Sequence, residues 1–242
     1  MTTLSKIIIT VLMGLLLTSC NWDINFGEGK RGNGNVVSET RDVIEEFNIV
    51  DAAEGLDVYV TQGKEFSIEV EADENIIEYI NTDIKDGTLY VNCEEAIGRA
   101  KSKKIFVTLP EIIALDASSG SDIYGQTVIT ADKLDLSSSS GADIKVEVNT
   151  QSLTCDASSG ADIDVKGKTV NMRANASSGA DIDGRDLTAE NCIADASSGA
   201  DISVNATKEL TASASSGGDV RYSGNPEILN KSKSSAGNVT KN

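Results

Sequence analysis

One short phrase recurs seven times in the second half of the chain. Its most regular form is ASSGADI, and the copies begin at residues 117, 138, 157, 176, 196, 214 and 233. Successive copies start 18 to 21 residues apart. A period of about twenty residues is the signature of a solenoid, in which each repeat is one structural unit stacked on the next.

Apolar and polar residues alternate on both sides of each glycine of the phrase. Around Gly160, for example, the apolar residues are Leu153, Cys155 and Ala157 before the glycine and Ile163 after it. A period of two places these side chains on one face of a strand. The same offsets put the serine before each glycine on that inward face. Each repeat is therefore predicted to be a strand, a tight Ser-Ser-Gly corner and a second strand.

A coil of this length cannot bury its own apolar face, so successive coils must stack with parallel strands. The predicted fold is all-β, a right-handed parallel β-helix with about 19–20 residues per coil. Small residues at the corner are expected because the backbone of the next coil comes close there, and the serine hydroxyls are expected to bond the backbone at the bend. The corner glycines are Gly120, Gly141, Gly160, Gly179, Gly199 and Gly217.

The first nineteen residues are typical of a bacterial signal peptide. Lys6 precedes an apolar run from Ile7 to Leu17, which is too short to span a membrane. The run ends in Leu17-Thr18-Ser19-Cys20, which resembles the lipobox of bacterial lipoproteins. Residues 1–19 are thus predicted to be a lipoprotein signal peptide and Cys20 to be lipidated. Ordinary signal cleavage near a chance cysteine is the alternative.

The remaining chain divides into a tether and one domain. Residues 20–38, which include the glycine-rich stretch 27–35, are predicted to be a flexible tether after the lipidated cysteine. Residues 39–242 are predicted to be a single β-helix domain. A divergent copy of the phrase, AAEGLDV at 52–58, indicates the first coil of this domain. Residues 61–104 are predicted to be an insertion or cap with strands and a short helix at 74–80.

The composition limits the classes of function that the chain can have. The chain has no histidine and a net charge of -17. Removal of residues 1–19 takes away only one charged residue, Lys6. The remaining chain then has 20 basic and 38 acidic residues and a net charge of -18. Such acidity argues against nucleic-acid binding. Without histidine there is no Ser-His-Asp or Cys-His arrangement. Cys93, Cys155 and Cys192 are read as small buried hydrophobes.

Six aspartates share one position, two residues after the corner glycine. In a stacked solenoid they form a column with neighbours about 4.8 Å apart, so their charges repel. Either corner backbone N–H groups offset this repulsion, or the column binds calcium; we expect the first, with no cofactor. The column consists of Asp122, Asp143, Asp162, Asp181, Asp201 and Asp219, with Asp57 and Asn238 as extensions at its ends.

Stacked carboxylates also raise the alternative of a polysaccharide-active β-helix enzyme. Sugar-processing grooves usually offer aromatic platforms, and the stretch from Gly125 to Arg221 contains no Phe, Tyr or Trp. The aromatic residues concentrate in the N-terminal part and are assigned to the core and the cap. These residues are Tyr59, Phe66, Tyr79, Tyr90 and Phe106.

The order of motifs resembles the head GIN domain family of auto-transporter adhesins, a domain of unknown function in Bacteroidetes lipoproteins. The resemblance covers roughly residues 40–240. It is carried by Phe47 and Ile49, Gly55-Leu56-Asp57-Val58, Gln62-Gly63, 71–76 (EADENI), Asp86-Gly87-Thr88-Leu89, Val107-Thr108-Leu109-Pro110 and the serial Ser-Ser-Gly-x-Asp-Ile units.

The resemblance implies a β-helix on the cell envelope and carries over no catalytic residue. The expected protein is a non-enzymatic lipoprotein, held in the membrane by its lipid anchor and located in the outer membrane. It is expected to serve as an adhesin or a surface structural module. The expected partner is an extracellular protein or glycan, and homo-oligomerisation is left open.

Overall fold

The computed structural model describes residues 29–242, so the signal peptide at 1–19 and the lipidation site Cys20 lie outside the described residues. The described part is a parallel β-helix of about 7 turns, as the sequence predicts. Its one helical element is a 3-10 turn at Ile77–Tyr79. No helix in this part of the chain is long and apolar enough to cross a membrane.

Sixteen strands form one continuous sheet that wraps around the core. They are β1 (Val36–Arg41), β2 (Ile49–Ala52), β3 (Asp57–Gln62), β4 (Ser67–Asp73), β5 (Ile80–Lys85), β6 (Thr88–Cys93), β7 (Lys103–Leu109), β8 (Ala114–Ala117), β9 (Asp122–Ser139), β10 (Asp143–Ser158), β11 (Asp162–Ser177), β12 (Asp181–Ala196), β13 (Asp201–Ala214), β14 (Asp219–Ser223), β15 (Ile228–Lys233) and β16 (Asn238–Lys241).

Each Ser-Ser-Gly corner is a turn with two successive left-handed residues. Ser140 and Gly141 have φ of 57° and 71°, and the N–H of Ala142 donates to the carbonyl of Ser139 at 3.3 Å. Two positive φ values in this order define a type I′ turn. The Gly141 N–H points to the next coil, where it donates to the carbonyl of Ser159 at 3.2 Å. The corner is therefore both a local turn and a link between coils.

The corner serines differ from the sequence prediction in two respects. The serines directly before the glycines are exposed rather than inward, because a left-handed residue breaks the alternation of the strand. Among the described residues, no hydroxyl of these serines bonds the bend; the backbone carbonyls make the contact instead. The hydroxyls that do bond backbone belong to flanking positions, such as Ser138, which donates to the carbonyl of Ala142 at 2.6 Å.

The coils stack in register, so equivalent side chains form columns inside the solenoid. Ile144 pairs with Ile163, and Leu153 pairs with Met172, and all four are less than 4% exposed. Fully burying one such side chain contributes about 2 kcal/mol through the hydrophobic effect. Since each coil repeats these positions, the core is a row of equivalent layers with no separate centre.

The insertion supplies one more rung of the solenoid. β6 pairs in parallel with β2 and β7 with β3, so this rung lies on the N-terminal side of the coil that precedes it in sequence. Three antiparallel strands close the sheet at this end. These are β1 and β4 beside β7, and β5 beside β6.

The segment before β1 is fixed to the domain, so the prediction of a flexible tether is wrong for residues 29–38. The fully buried carboxylate of Asp73 accepts backbone N–H groups from Gly34 at 2.7 Å and from Lys101 and Ser102 at 3.1 Å. Burial by itself would raise the pKa of Asp73, but these three donors favour the charged form and lower its pKa. The Lys30 N–H also donates to the carbonyl of Ala96 at 2.8 Å.

Among the described residues, the C-terminal end carries charged side chains on an exposed strand, β15, and has no antiparallel strands. In the register of β13 with β15, Lys231 stands opposite Ala212 and Lys233 opposite Ala214, so both lysines occupy columns that hold small or apolar residues in the preceding coils. The ammonium of Lys231 lies 5.0 Å from the ring centroid of Tyr222, which is 4% exposed. Inward-pointing charges on an edge strand oppose pairing with another sheet edge.

The corner glycines are required by backbone conformation and not by crowding from the next coil, which corrects the sequence-based expectation. A Cβ at Gly160 would have no neighbouring atom within 4 Å, and Ala236 already occupies the equivalent position with φ of 65°. Gly167 is different, because a Cβ there would lie 2.1 Å from the carbonyl oxygen of Val148 in the adjacent coil. Crowding therefore acts at Gly167 on the far bend of the coil, and it does not act at the corner position of Gly160.

This difference can be measured with two alanine substitutions. Gly160→Ala is expected to lower the free energy of unfolding by about 1 kcal/mol, the cost of a left-handed alanine. Gly167→Ala combines a φ of 111° with the overlap on Val148, and we expect a loss of about 3 kcal/mol or more. Urea unfolding of both variants tests this order. Equal losses would show that the corner is as crowded as the far bend.

Candidate functional site

A groove of about 700 Å³ crosses the coils on the outer side of the strands that follow the corners. We call this surface the Asp face. Its groove contains three basic side chains, Lys145, Arg185 and Arg221. The carboxylates that line it are Asp162, Asp164, Asp181, Asp183 and Asp201.

The six column aspartates predicted from the sequence lie in one register on this face. Each opens the strand after its corner, where the alternation points its side chain outward. Asp143 pairs with Asp122 on one side and Asp162 on the other. The register continues at both ends, to Asp57 on β3 and to Asn238 on β16.

The middle of the column holds uncompensated negative charge. Partial burial raises the pKa of Asp143 and Asp162, and the charge of Asp122 raises that of Asp143 further. For Asp162 the second cause is its two column neighbours, Asp143 and Asp181. The ammonium of Lys145 acts in the opposite direction on both groups. A cation placed here would therefore relieve existing repulsion.

At the C-terminal end of the column, one guanidinium joins two coils. Arg221 Nη1 donates to Asp201 Oδ1 at 3.0 Å, and its Nη2 donates to Asp219 Oδ2 at 3.2 Å. At the other end, the Tyr124 hydroxyl donates to Asp122 Oδ2 at 3.0 Å. At Asp122, Asp201 and Asp219, side-chain donors therefore take the place of the expected corner N–H donors. The reason is that the corner amides are used between coils, as where the Asp143 N–H donates to the carbonyl of Ser121.

Three aromatic rings form a ladder on the Asp face, beside the first aspartates. The Tyr59 ring lies 5.2 Å from the rings of Phe106 and Tyr124, with interplanar angles of 23° and 26°. Phe106 is 38% exposed, and the ammonium of Lys104 lies 5.8 Å from the centroid of Tyr59. The assignment of Tyr59 and Phe106 to the core and cap is therefore wrong. At 5.2 Å the stacking is offset, so part of each ring stays uncovered.

Two of the three rings of this ladder could have been predicted from the sequence. Tyr59 follows Asp57 by two residues, as Tyr124 follows Asp122. Alignment of the divergent copy at 52–58 with the copy at 117–123 therefore places the two tyrosines in one column. Phe106 lies outside any copy of the repeated phrase, so the same alignment does not place it in this column. It joins the ladder because β7 pairs with β3, a register that depends on the path of the insertion.

A second acidic pair lies on the outer side of the strands before the corners. Asp116 of β8 pairs with Asp51 of β2. Burial raises the pKa of Asp116 to about 6, and the charges of Asp51 and Asp135 add to the shift. This carboxyl takes up a proton well above the pH at which an ordinary aspartate does.

The three cysteines within residues 29–242 offer no reactive thiolate. Burial raises the pKa of Cys93 to about 11 and that of Cys192 to about 12, and it raises the pKa of the fully buried Cys155 further still. The thiolate is the nucleophilic form. The three cysteines lie free and buried in the structure.

The stacked carboxylates do not converge on a point. Among residues 29–242, no three acidic or cysteine side chains lie close enough together to hold a metal ion. Calcium takes six to eight oxygen ligands, whereas each coil offers one carboxylate at the column position. The parallel register spreads these oxygens along a line instead of around a centre.

The chain is thus a parallel β-helix with an outer face built of side-chain ladders. Residues 46–226 match the family described as "Putative auto-transporter adhesin, head GIN domain", and the chain belongs to this family. No curated protein sequence matches the chain.

Several solved structures share the fold. A "putative adhesin" from Bacteroides fragilis is 23% identical with a TM-score of 0.80, and the match covers 88% of this chain and 100% of that one. Another from Parabacteroides distasonis is 20% identical, with a TM-score of 0.70 and coverage of 88% and 99%. A third, from Parabacteroides merdae, is 19% identical with a TM-score of 0.68 and coverage of 88% and 98%. At these identities the likeness establishes the fold alone.

The raised pKa of Asp116 predicts an unusual pH dependence. Because the folded protein holds this proton more tightly than the unfolded chain, the group stabilises the fold below about pH 4, and this contribution is lost as the pH rises towards 6. Asp116→Asn should therefore raise the melting temperature at pH 7, and the difference from the wild type should shrink as the pH falls to 4.

Asp156→Asn is the matched control for this experiment, because the column neighbours of Asp156 are the neutral Ser137 and Asn175. It should give no such pH-dependent gain. An equal gain in both variants would mean that overall charge, and not the Asp51–Asp116 contact, sets the effect. The measurement is thermal unfolding followed by circular dichroism between pH 4 and pH 8.

Calcium provides the second test of the carboxylates. We expect millimolar Ca²⁺ to leave the melting temperature nearly unchanged, because a ligand without preference for the folded state cannot stabilise it. A clear rise that a chelator reverses, and that the double substitution Asp162→Asn with Asp181→Asn removes, would instead establish a calcium ladder.

Proposed function

We propose that the protein is a lipid-anchored component of the cell envelope that acts as a non-catalytic adhesion or binding module. Membership of the adhesin family supports a surface or envelope location. The anchor rests on Leu17-Thr18-Ser19-Cys20 after a short apolar run. In this proposal Cys20 carries the acyl chains, and the outer membrane is the membrane that holds them.

The observation that carries the binding role is the repetition of equivalent side chains across the Asp face. Catalysis needs one activated group in one geometry, whereas a register such as Asp143–Asp162–Asp181 presents the same group again in each coil. Equivalent groups at a fixed spacing allow several weak contacts with one partner, and linked weak contacts raise the overall affinity. An open groove on a rigid sheet suits an extended partner.

Catalysis by a serine or cysteine nucleophile lacks the groups that it needs. The chain contains no histidine, and the thiols of its described cysteines are buried and protonated. The corner serines are repeated in every coil, with no base in contact with any of them among the described residues. These features support a binding role over nucleophilic catalysis by serine or cysteine, and the partner is proposed to be an extracellular macromolecule.

The anchor is tested by Cys20→Ala in the full chain, expressed in a bacterium that processes lipoproteins. The wild type should incorporate labelled palmitate and fractionate with membranes. The variant should lose the label and appear in the soluble fraction, because no acyl chain can be attached to alanine. Thr3→Ala is a control that keeps Lys6, the apolar run and the cysteine, and it should still be labelled. Membrane retention of Cys20→Ala would refute the lipid anchor.

A further inference from the structure

The starting point is the way in which Arg221 is held on the Asp face. Its guanidinium spans two coils and donates to Asp201 at 3.0 Å and to Asp219 at 3.2 Å. A planar guanidinium offers donors in several directions from one delocalised charge, so it can bridge two carboxylates at once. Arg221 thus demonstrates one mode of cation binding to this column.

The same register continues towards the N-terminus without such a bridge. Asp143, Asp162 and Asp181 are paired strand to strand as Asp201 and Asp219 are. Within the described part of the chain, none of these three carboxylates has a basic nitrogen within the 4.0 Å of an ion pair. Lys145 supplies a compensating charge, because its ammonium lowers the pKa of Asp143 and Asp162, while burial and the neighbouring carboxylates raise it.

The basic side chains that line the groove are largely used by other acids. Arg185 binds Asp183 through its Nε at 2.9 Å, and this contact lowers the pKa of Asp183. Arg221 is occupied by its two column aspartates. The face therefore keeps an excess of negative charge at its centre, on a chain whose net charge is already -17.

The aromatic ladder extends the same chemistry beyond the column. A cation over an aromatic face is attracted by the ring quadrupole, and the ammonium of Lys104 already lies 5.8 Å from the ring centroid of Tyr59. The ladder adjoins Asp57 and Asp122 in the register of β3 with β9. Uncovered ring surface next to carboxylates suits the apolar stem and the charged head of an arginine side chain.

We propose that the Asp face is the docking surface for an arginine-rich segment of another protein, whose guanidinium groups bridge carboxylates of successive coils as Arg221 does. The occupant follows from charge complementarity and from the bridging geometry seen at the end of the same column. Arginine fits better than lysine, because an ammonium is a compact point charge that cannot span two coils in a fixed plane. This inference deepens the proposed binding role and rests on it.

The test measures binding of a fluorescent octa-arginine peptide to the full chain, purified from membranes in a neutral detergent, by fluorescence anisotropy. Replacement of Asp143, Asp162 and Asp181 by Asn should weaken binding about tenfold, as expected for the loss of several exposed charge contacts. The fold should be retained, because the removed carboxylates repel one another. Octa-lysine should bind the wild type more weakly than octa-arginine does.

The matched control replaces Asp135, Asp156 and Asp195, three aspartates on the outer side of the strands before the corners, by Asn. It removes the same charge, and it should change the affinity by less than about twofold. Equal losses in the two triple variants would overturn the proposal, since overall charge would then explain binding. Equal affinity for the two peptides would overturn the bridging geometry.

The outcome is separable from that of the binding-module proposal. A protein that is lipid-labelled and membrane-bound but that does not bind octa-arginine above the control variant would refute the docking surface alone. A protein that loses neither label nor membrane attachment in Cys20→Ala would refute the anchor, whatever the peptide does.

Discussion

The left-handed Ser-Gly corner is the constraint on which the remaining structure depends. Two successive positive φ values turn the chain, as in Ser159 and Gly160 with 57° and 70°. They also direct the glycine N–H to the carbonyl of the next coil, Ser178, at 3.2 Å. Because this link recurs at the same place in each repeat, it sets the register. A slip by one residue would turn every inward side chain to the solvent.

A fixed register determines the chemistry of the surface as well as that of the core. Inside the solenoid, stacking of identical apolar side chains such as isoleucine on isoleucine stabilises the fold. On the outer surface, the same stacking brings like charges close together, and they repel. The protein tolerates this at the column because the groups are partly solvated and because side chains such as Arg221 and Tyr124 hold its ends. The uncompensated centre is thus a direct consequence of the repeat, and it lies where an external cation would be most stabilised.

The repeated half of the fold could be predicted from the sequence because its determinants are local. Period-two apolar positions and a turn phrase specify each coil, and the aspartate column follows by counting.

The N-terminal part could not be predicted in this way. The first half of β1, residues 36–38, lies in the stretch predicted to be a tether, because the partner strand β4 is some thirty residues away and holds β1 only in the folded protein. Phe106 joins the aromatic ladder through a register that no local pattern encodes, and Gly167 matters through the carbonyl of Val148 in another coil.

The two ends of the solenoid meet the same physical problem in different ways. A parallel stack leaves unpaired backbone groups and apolar side chains at each end, which invites edge-to-edge association. At the N-terminal end, antiparallel strands cover the edge, and the buried carboxylate of Asp73 fixes the preceding segment to the body. Among residues 29–242, no such antiparallel strands cover the C-terminal end. The final coil instead places Lys231 and Lys233 in inward columns, where Lys231 covers Tyr222. The last coil stays exposed, with Ile228 54% and Leu229 39% open to the solvent, so the lysines oppose association of this edge without covering it.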